Sequence, residues 1–190
     1  MAKKAKRASS KPRRKANARP AARASGPSAA QAFLYTFEKE HPITVRLLNA
    51  YPADKLDLKP HPKCKTAREL AWMFCSEQWA TLTAITTGFD FSKPFAPKPA
   101  PATMAEIIAN LDEGHRKVAE TLKGMTDAQL SETSKFMVAP KTMGDVPKIA
   151  LAWLFLCDQI HHRGQFSIYL RMADAKVPSI YGPTADEPWV

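Results

Sequence analysis

The feature that most limits the fold is a stretch near the C-terminus that is apolar on every side of a helix. Residues 149–157 read Ile-Ala-Leu-Ala-Trp-Leu-Phe-Leu-Cys, with no charged or strongly polar position. A helix without a polar face has to be surrounded by other elements. This stretch therefore predicts the central helix of a helical bundle, extending over about residues 146–173.

Apolar residues at helical spacing predict further helices earlier in the chain. The first extends from Gln31 to the break at Pro52, and the dipeptide His41-Pro42 is expected to kink or divide it. Two more long helices and one short helix are predicted over residues 66–87, 103–122 and 126–130.

Residues 131–145 show no strong periodicity and are expected to form a loop. With four long helices, no convincing strand and long connections between some helices, residues 31–190 predict an all-α domain. The expected architecture is a four-helix bundle with at least one crossover connection.

The basic residues are unevenly distributed. Residues 1–30 contain ten Lys or Arg and no Asp or Glu, and they have no aromatic or large aliphatic residue after Met1. Such a segment cannot bury enough surface to order itself, so a disordered basic tail is predicted. The remaining 18 basic side chains equal the 18 acidic ones, which leaves the folded part neutral. A solubilising tail, non-specific nucleic-acid binding and an organelle transit peptide are the interpretations left open.

The cysteines and the hydropathy pattern predict the compartment. Cys64, Cys75 and Cys157 are odd in number, widely spaced and form no Cys-x-x-Cys pair. This argues against a disulfide framework or a zinc knuckle and favours a reducing cytoplasm. No run of 18 apolar residues and no secretory leader are present, so a soluble cytoplasmic protein without a membrane partner is expected.

A polar block, residues 158–165, directly follows the apolar half of the last helix. Burying polar groups without partners costs roughly 1 to 3 kcal/mol for each group, so this block needs partners, a ligand or a cavity. Asp158 and His162 are four residues apart and share one helix face, which Gln165 and Tyr169 extend. The alternative is that Asp158 simply hydrogen-bonds a neighbouring helix.

Several strings in the sequence resemble DinB family proteins. The string DQIHHRGQFSIYLRM over residues 158–172, followed by VPSIYGP over residues 177–183, resembles their C-terminal signature. LDLKPHPK over residues 56–63 and TARELAW over residues 66–72 resemble the start of their second helix. The resemblance covers residues 31–190.

The resemblance implies a bundle of up-down-down-up type that is often dimeric, so a homodimer is expected. It also implies a divalent metal ion held by one side chain of the second helix and two of the last helix, spaced by four residues. Relatives with demonstrated activity are transferases or isomerases that depend on a low-molecular-weight thiol. The family takes its name from a DNA-damage-inducible gene.

This chain departs from the family's histidine triad at two positions. Met73 occupies the usual ligand position of the second helix, and Asp158 replaces the first histidine of the last helix, so only His162 matches. Asp is a competent ligand for zinc or nickel, whereas a Met thioether favours copper(I). Glu77 lies one turn after Met73 on the same apolar face.

Two site hypotheses follow from these residues. Glu77, Asp158 and His162 form either a remodelled site for zinc or nickel or a metal-free polar network. The neighbouring residues His161, Gln165 and Tyr169 are expected around the pocket.

Two functions correspond to these hypotheses. The first is a metal-dependent thiol transferase or hydrolase with its pocket between the second and last helices. The second is a metal-free, non-catalytic bundle with a stress-related binding role, its basic tail contacting nucleic acid.

Overall fold

The structure is a computed structural model that describes residues 26–93 and 98–190. Within these ranges the chain forms five α-helices, one 3-10 helix and one two-stranded sheet. In chain order they are α1 (Ala29–Asn49), the 3-10 helix (Ala53–Lys55), α2 (Ala67–Ile85), α3 (Met104–Lys123), α4 (Asp127–Ser131), β1 (Thr133–Ala139), β2 (Thr142–Pro147) and α5 (Lys148–Met172). Residues 1–25 of the predicted tail lie outside the described residues, so the tail and its nucleic-acid contact stay predictions.

Four of the five helices in the described ranges begin with a capping box. In each, the side chain of a Ser or Thr accepts a hydrogen bond from the backbone amide of the residue three positions later. The Gln or Glu side chain of that later residue in turn accepts a hydrogen bond from the backbone amide of the Ser or Thr. The four pairs are Ser28–Gln31, Thr66–Glu69, Thr103–Glu106 and Thr126–Gln129. These caps hold the helix starts close to the predicted positions.

The four predicted long helices are confirmed, with ends within about three residues of expectation. The expected division of the first helix at His41-Pro42 is wrong, because α1 continues through Pro42 as one helix. None of the described helices combines the length and apolar character needed to cross a bilayer. The up-down-down-up order and the homodimer stay predictions.

The expectation of a purely helical domain is wrong between α4 and α5. Residues 133–147 form an antiparallel hairpin in which Thr133 pairs with Pro147 and Phe136 with Gly144. Most of its side chains are exposed, including Met137 and Val138. Because neither face of the hairpin is well buried, its sequence lacks the alternation of apolar and polar residues that identifies a strand. The chain therefore belongs to a mostly helical fold with a small sheet.

The core consists of two apolar clusters separated by a buried polar layer. One cluster contains Leu47, Phe74, Leu111 and Phe166, and the other contains Phe37, Ile85, Val118 and Leu156. On every long helix, buried polar or small residues lie between the members of the two clusters. They are Glu40 and Thr44 on α1, Glu77, Gln78 and Thr81 on α2, Gly114 and His115 on α3, and Gln159 and Arg163 on α5. Glu77, the buried residue of the candidate site, belongs to this layer.

Candidate metal centre

Three ligand-type side chains converge where α2 packs against α5. Glu77 comes from α2, while Asp158 and His162 lie one turn apart on α5. One potential ligand atom from each residue lies within 4.8 Å of the other two. The structure thus brings together the three residues that the sequence proposed as a remodelled site.

Glu77 is the buried member of this triad. Its relative exposure is 4%. Oε1 is hydrogen-bonded to Nδ1 of His162, but Oε2 is buried without a partner among the described residues. Burial raises the pKa of the Glu77 carboxyl to about 7, against the opposing effect of the hydrogen bond from His162. A buried carboxylate oxygen without a donor is costly, and a cation would satisfy it.

Asp158 and His162 form the more accessible side of the triad. The hydrogen bond to Glu77 raises the pKa of the His162 imidazole, although burial opposes this. Nδ1 of His162 lies 4.0 Å from Oδ1 of Asp158, whose side chain is 49% exposed. Asp158 is therefore the most solvent-exposed residue of the triad.

A divalent cation fits this donor set. Two carboxylates and one imidazole supply borderline and hard donors of the kind that zinc and nickel accept, at about 2 Å from the ion. Three protein ligands leave a coordination position open, as in catalytic rather than structural zinc sites. Met73 lines the adjoining cleft together with Glu77 and Asp158, and its thioether is the poorest match for such an ion.

The other expected pocket residues, His161, Gln165 and Tyr169, are also on α5. His161 is exposed on α5, where the side-chain amide of Gln165 hydrogen-bonds its Nε2 at 2.8 Å. Tyr169 is buried, and its hydroxyl donates to the carbonyl of Lys65 at 2.8 Å. None of the three lines the cleft beside the triad.

A cleft of about 540 Å³ opens beside Glu77 and Asp158. We call it the aromatic cleft, because phenylalanines from three separate segments form much of its wall. Its lining comprises Met73, Ser76, Glu77 and Ala80 of α2, Phe89, Asp90, Phe91 and Lys93 after α2, Phe136 and Met137 of β1, and Phe155 and Asp158 of α5. Sequence reasoning missed Phe89, Phe91 and Phe136, which carry no local signal of a site.

The sequence matches a known protein family. The model of the DinB family matches residues 27–189, which is most of the chain. The chain belongs to the DinB family. This DinB protein is also similar to the uncharacterized protein YrdA of Bacillus subtilis (strain 168), with 28% identity over 158 residues. That match covers 82% of this chain and 89% of YrdA.

Solved structures agree on the fold of this DinB protein. A DinB-like protein from Bacillus cereus ATCC 10987 superposes with a TM-score of 0.66 at 22% identity, covering 78% of this chain and 95% of that one. A second DinB-like protein, YjoA from Bacillus subtilis, gives a TM-score of 0.60 at 19% identity over 78% and 97% of the two chains. At such identities the likeness shows the fold alone.

Proposed function

We propose that Glu77, Asp158 and His162 bind one divalent ion of the zinc or nickel class, and that the aromatic cleft presents a substrate to it. The observation that carries this proposal is the buried, unpartnered Oε2 of Glu77 within a cluster of three ligand atoms. A purely structural network would be expected to satisfy that oxygen. The departure at Met73 then changes the ligand set without removing the site.

The reaction class proposed is nucleophilic transfer or hydrolysis. Glu77, Asp158 and His162 would hold the ion, which would supply a nucleophile at neutral pH by lowering the pKa of a bound water molecule or low-molecular-weight thiol. The chain's own residues hold the substrate: the phenylalanines of the aromatic cleft exclude water and contact its apolar part. Asp158, at the border between triad and cleft, faces the reacting group.

Metal-dependent stabilisation tests the proposed site. We expect zinc or nickel chloride to raise the free energy of unfolding of the chelator-treated protein, by about 2.7 kcal/mol at a free ion concentration of a hundred times Kd. His162→Ala removes the one imidazole ligand and should abolish this increase. Urea unfolding followed by circular dichroism measures both.

Glu120→Gln is the matched control, because it removes an exposed carboxylate on α3 that pairs with Arg116 at the surface. This variant should retain the full stabilisation. Equal stabilisation of the wild type and His162→Ala would place the ion elsewhere on the chain. No stabilisation of the wild type by any divalent ion would favour the metal-free, non-catalytic bundle.

Met73→His is expected to strengthen metal binding. The substitution puts an imidazole one helical turn before Glu77, on the side of α2 that lines the cleft. A fourth ligand of the right type should lower the zinc Kd at least about tenfold, which corresponds to about 1.4 kcal/mol. Isothermal titration with zinc compares the variant with the wild type. An unchanged or higher Kd would mean that position 73 does not face the ion.

A further inference from the structure

Four phenylalanine rings form a connected wall in the aromatic cleft. The ring centroids of Phe89 and Phe136 are 5.3 Å apart, and those of Phe136 and Phe155 are 5.6 Å apart. Phe91 completes the wall. Its ring centroid lies 5.8 Å from that of Phe89 and 6.2 Å from that of Phe136. Tilted and edge-on pairs at these distances hold one another in place, so the wall has a defined shape.

This wall is not part of the hydrophobic core. None of the four rings belongs to either of the two apolar clusters that form the core. None of them is fully buried, and Phe91 is 49% exposed. Aromatic surface that packs on itself and stays open to a cleft is available to a ligand with a complementary flat face.

The charges around the cleft select against anions. Glu77, Asp90 and Asp158 contribute carboxyl groups, whereas Lys93 contributes the one amino group in the described part of the lining. Nζ of Lys93 lies 2.9 Å from Oδ2 of Asp90, so its charge is already paired. Among the lining residues that the structure describes, an anionic ligand would find no unpaired cation and would meet the carboxylate of Asp158.

We propose that the aromatic cleft binds a neutral, flat aromatic molecule of one or two fused rings, with its reactive group directed toward Asp158 and Glu77. A volume of about 540 Å³ is ample for such a molecule and lies in the range of small-molecule sites. The role of this molecule as substrate rests on the proposed function. Its binding does not, because the phenylalanine wall is formed by the chain alone.

A fluorescence titration tests this proposal. The probe is 6-propionyl-2-(dimethylamino)naphthalene, a neutral naphthalene whose emission shifts to the blue in an apolar site, added to the full-length protein in chelator and again after zinc loading. We expect saturable binding with one site per chain in both conditions. Phe91→Ala, which removes a half-exposed loop ring, should raise the Kd at least about fivefold, and Phe136→Ala should act in the same direction.

Tyr35→Ala provides the control, because Tyr35 is an exposed aromatic residue of α1 outside the cleft, 65% exposed against 49% for Phe91. The Kd of this variant for the probe should match that of the wild type. In competition against the chelator-treated protein, 2-naphthalenemethanol should displace the probe at a concentration at least about tenfold lower than 2-naphthoate. Circular dichroism confirms that each variant is folded.

The outcomes separate this proposal from the metal site. No saturable binding, an equal loss in Tyr35→Ala, or equal displacement by 2-naphthoate would overturn the assignment of a neutral aromatic ligand. Probe binding in chelator by a protein that takes up no zinc would leave this proposal standing and remove the metal site. Zinc uptake without probe binding would support the metal site and overturn the proposal of an aromatic ligand.

Discussion

Arg163→Met should lower the free energy of unfolding by about 3 to 5 kcal/mol, because it leaves a buried carboxylate without its cation. Arg163 is 1% exposed and forms an ion pair with Glu40 of α1. Its guanidinium also donates to the Glu40 carbonyl at 3.2 Å and to Thr44 Oγ1 at 3.3 Å. The Tyr181 hydroxyl donates to the Glu40 carboxylate at 2.7 Å, which ties the C-terminal segment to the same group.

Arg171→Met is the matched control for this prediction. Arg171 lies two turns later on the same helix and pairs with Asp186 at 2.7 Å, but its side chain is 50% exposed. Solvent screening leaves such an exposed pair with little effect on stability. Urea unfolding of the two variants should therefore give clearly different losses. Similar losses would mean that burial of the Arg163 pair contributes nothing specific.

The double variant Glu77→Met, His162→Leu should have the opposite effect on stability. Replacing a buried ion pair by apolar side chains of similar size is often neutral or stabilising, by up to about 4 kcal/mol. Here the pair is incompletely satisfied, because Glu77 Oε2 has no partner among the described residues. We expect the metal-free double variant to be about 1 to 4 kcal/mol more stable than the metal-free wild type. We also expect it to gain nothing from zinc or nickel.

The stability difference between the double variant and the wild type should depend on pH. The folded-state pKa of Glu77, about 7, lies above its ordinary value of 4.5, so folding favours the protonated carboxyl. The resulting stability is fully present below pH 4.5 and is lost as the pH rises through 7. His162, whose pKa is also raised, contributes in the same direction. The advantage of the double variant should therefore be larger at pH 8 than at pH 5.

The single variants complete the thermodynamic cycle for this pair. Glu77→Met removes the unpartnered oxygen and leaves His162, which can become neutral. His162→Leu leaves the buried carboxyl of Glu77 with no partner at either oxygen, and it should be the least stable of the set at pH 8. A double variant less stable than the wild type at pH 8 would show that the pair holds the fold together.

These predictions assign different roles to two ion pairs of the same polar layer. Arg163 and Glu40 have hydrogen-bond partners from α1, α5 and the C-terminal segment, as expected of a structural network. Glu77 and His162 have one hydrogen bond and one buried oxygen left over. The unpartnered oxygen beside the cleft is the feature on which the proposed metal site rests.

Much of the helical fold could be predicted from the sequence, for local reasons. Helical spacing of apolar residues identified the long helices, and the all-round apolar character of residues 149–157 identified α5 as a core helix. The hairpin could not be predicted in this way. It packs against the rest of the protein mainly through Ser134 and Phe136, so its strands carry almost no periodic signal.

The candidate site divides in the same manner. The spacing of Asp158 and His162 on one helix face is a local property that the sequence states directly, and Glu77 followed from its place one turn after Met73. The wall of the aromatic cleft depends on three segments far apart in the chain. Phe89, Phe136 and Phe155 meet only because the hairpin folds against α5 and the end of α2.

Metal content is the most direct test of the proposed site. The full-length protein, purified without a histidine tag, would be analysed by plasma mass spectrometry before and after incubation with zinc and nickel and removal of excess ion. We predict close to one ion per chain, retained by Glu120→Gln and lost in both Asp158→Ala and His162→Ala. A wild-type protein that stays empty after reconstitution, or variants that keep the ion, would contradict a metal centre at Glu77, Asp158 and His162.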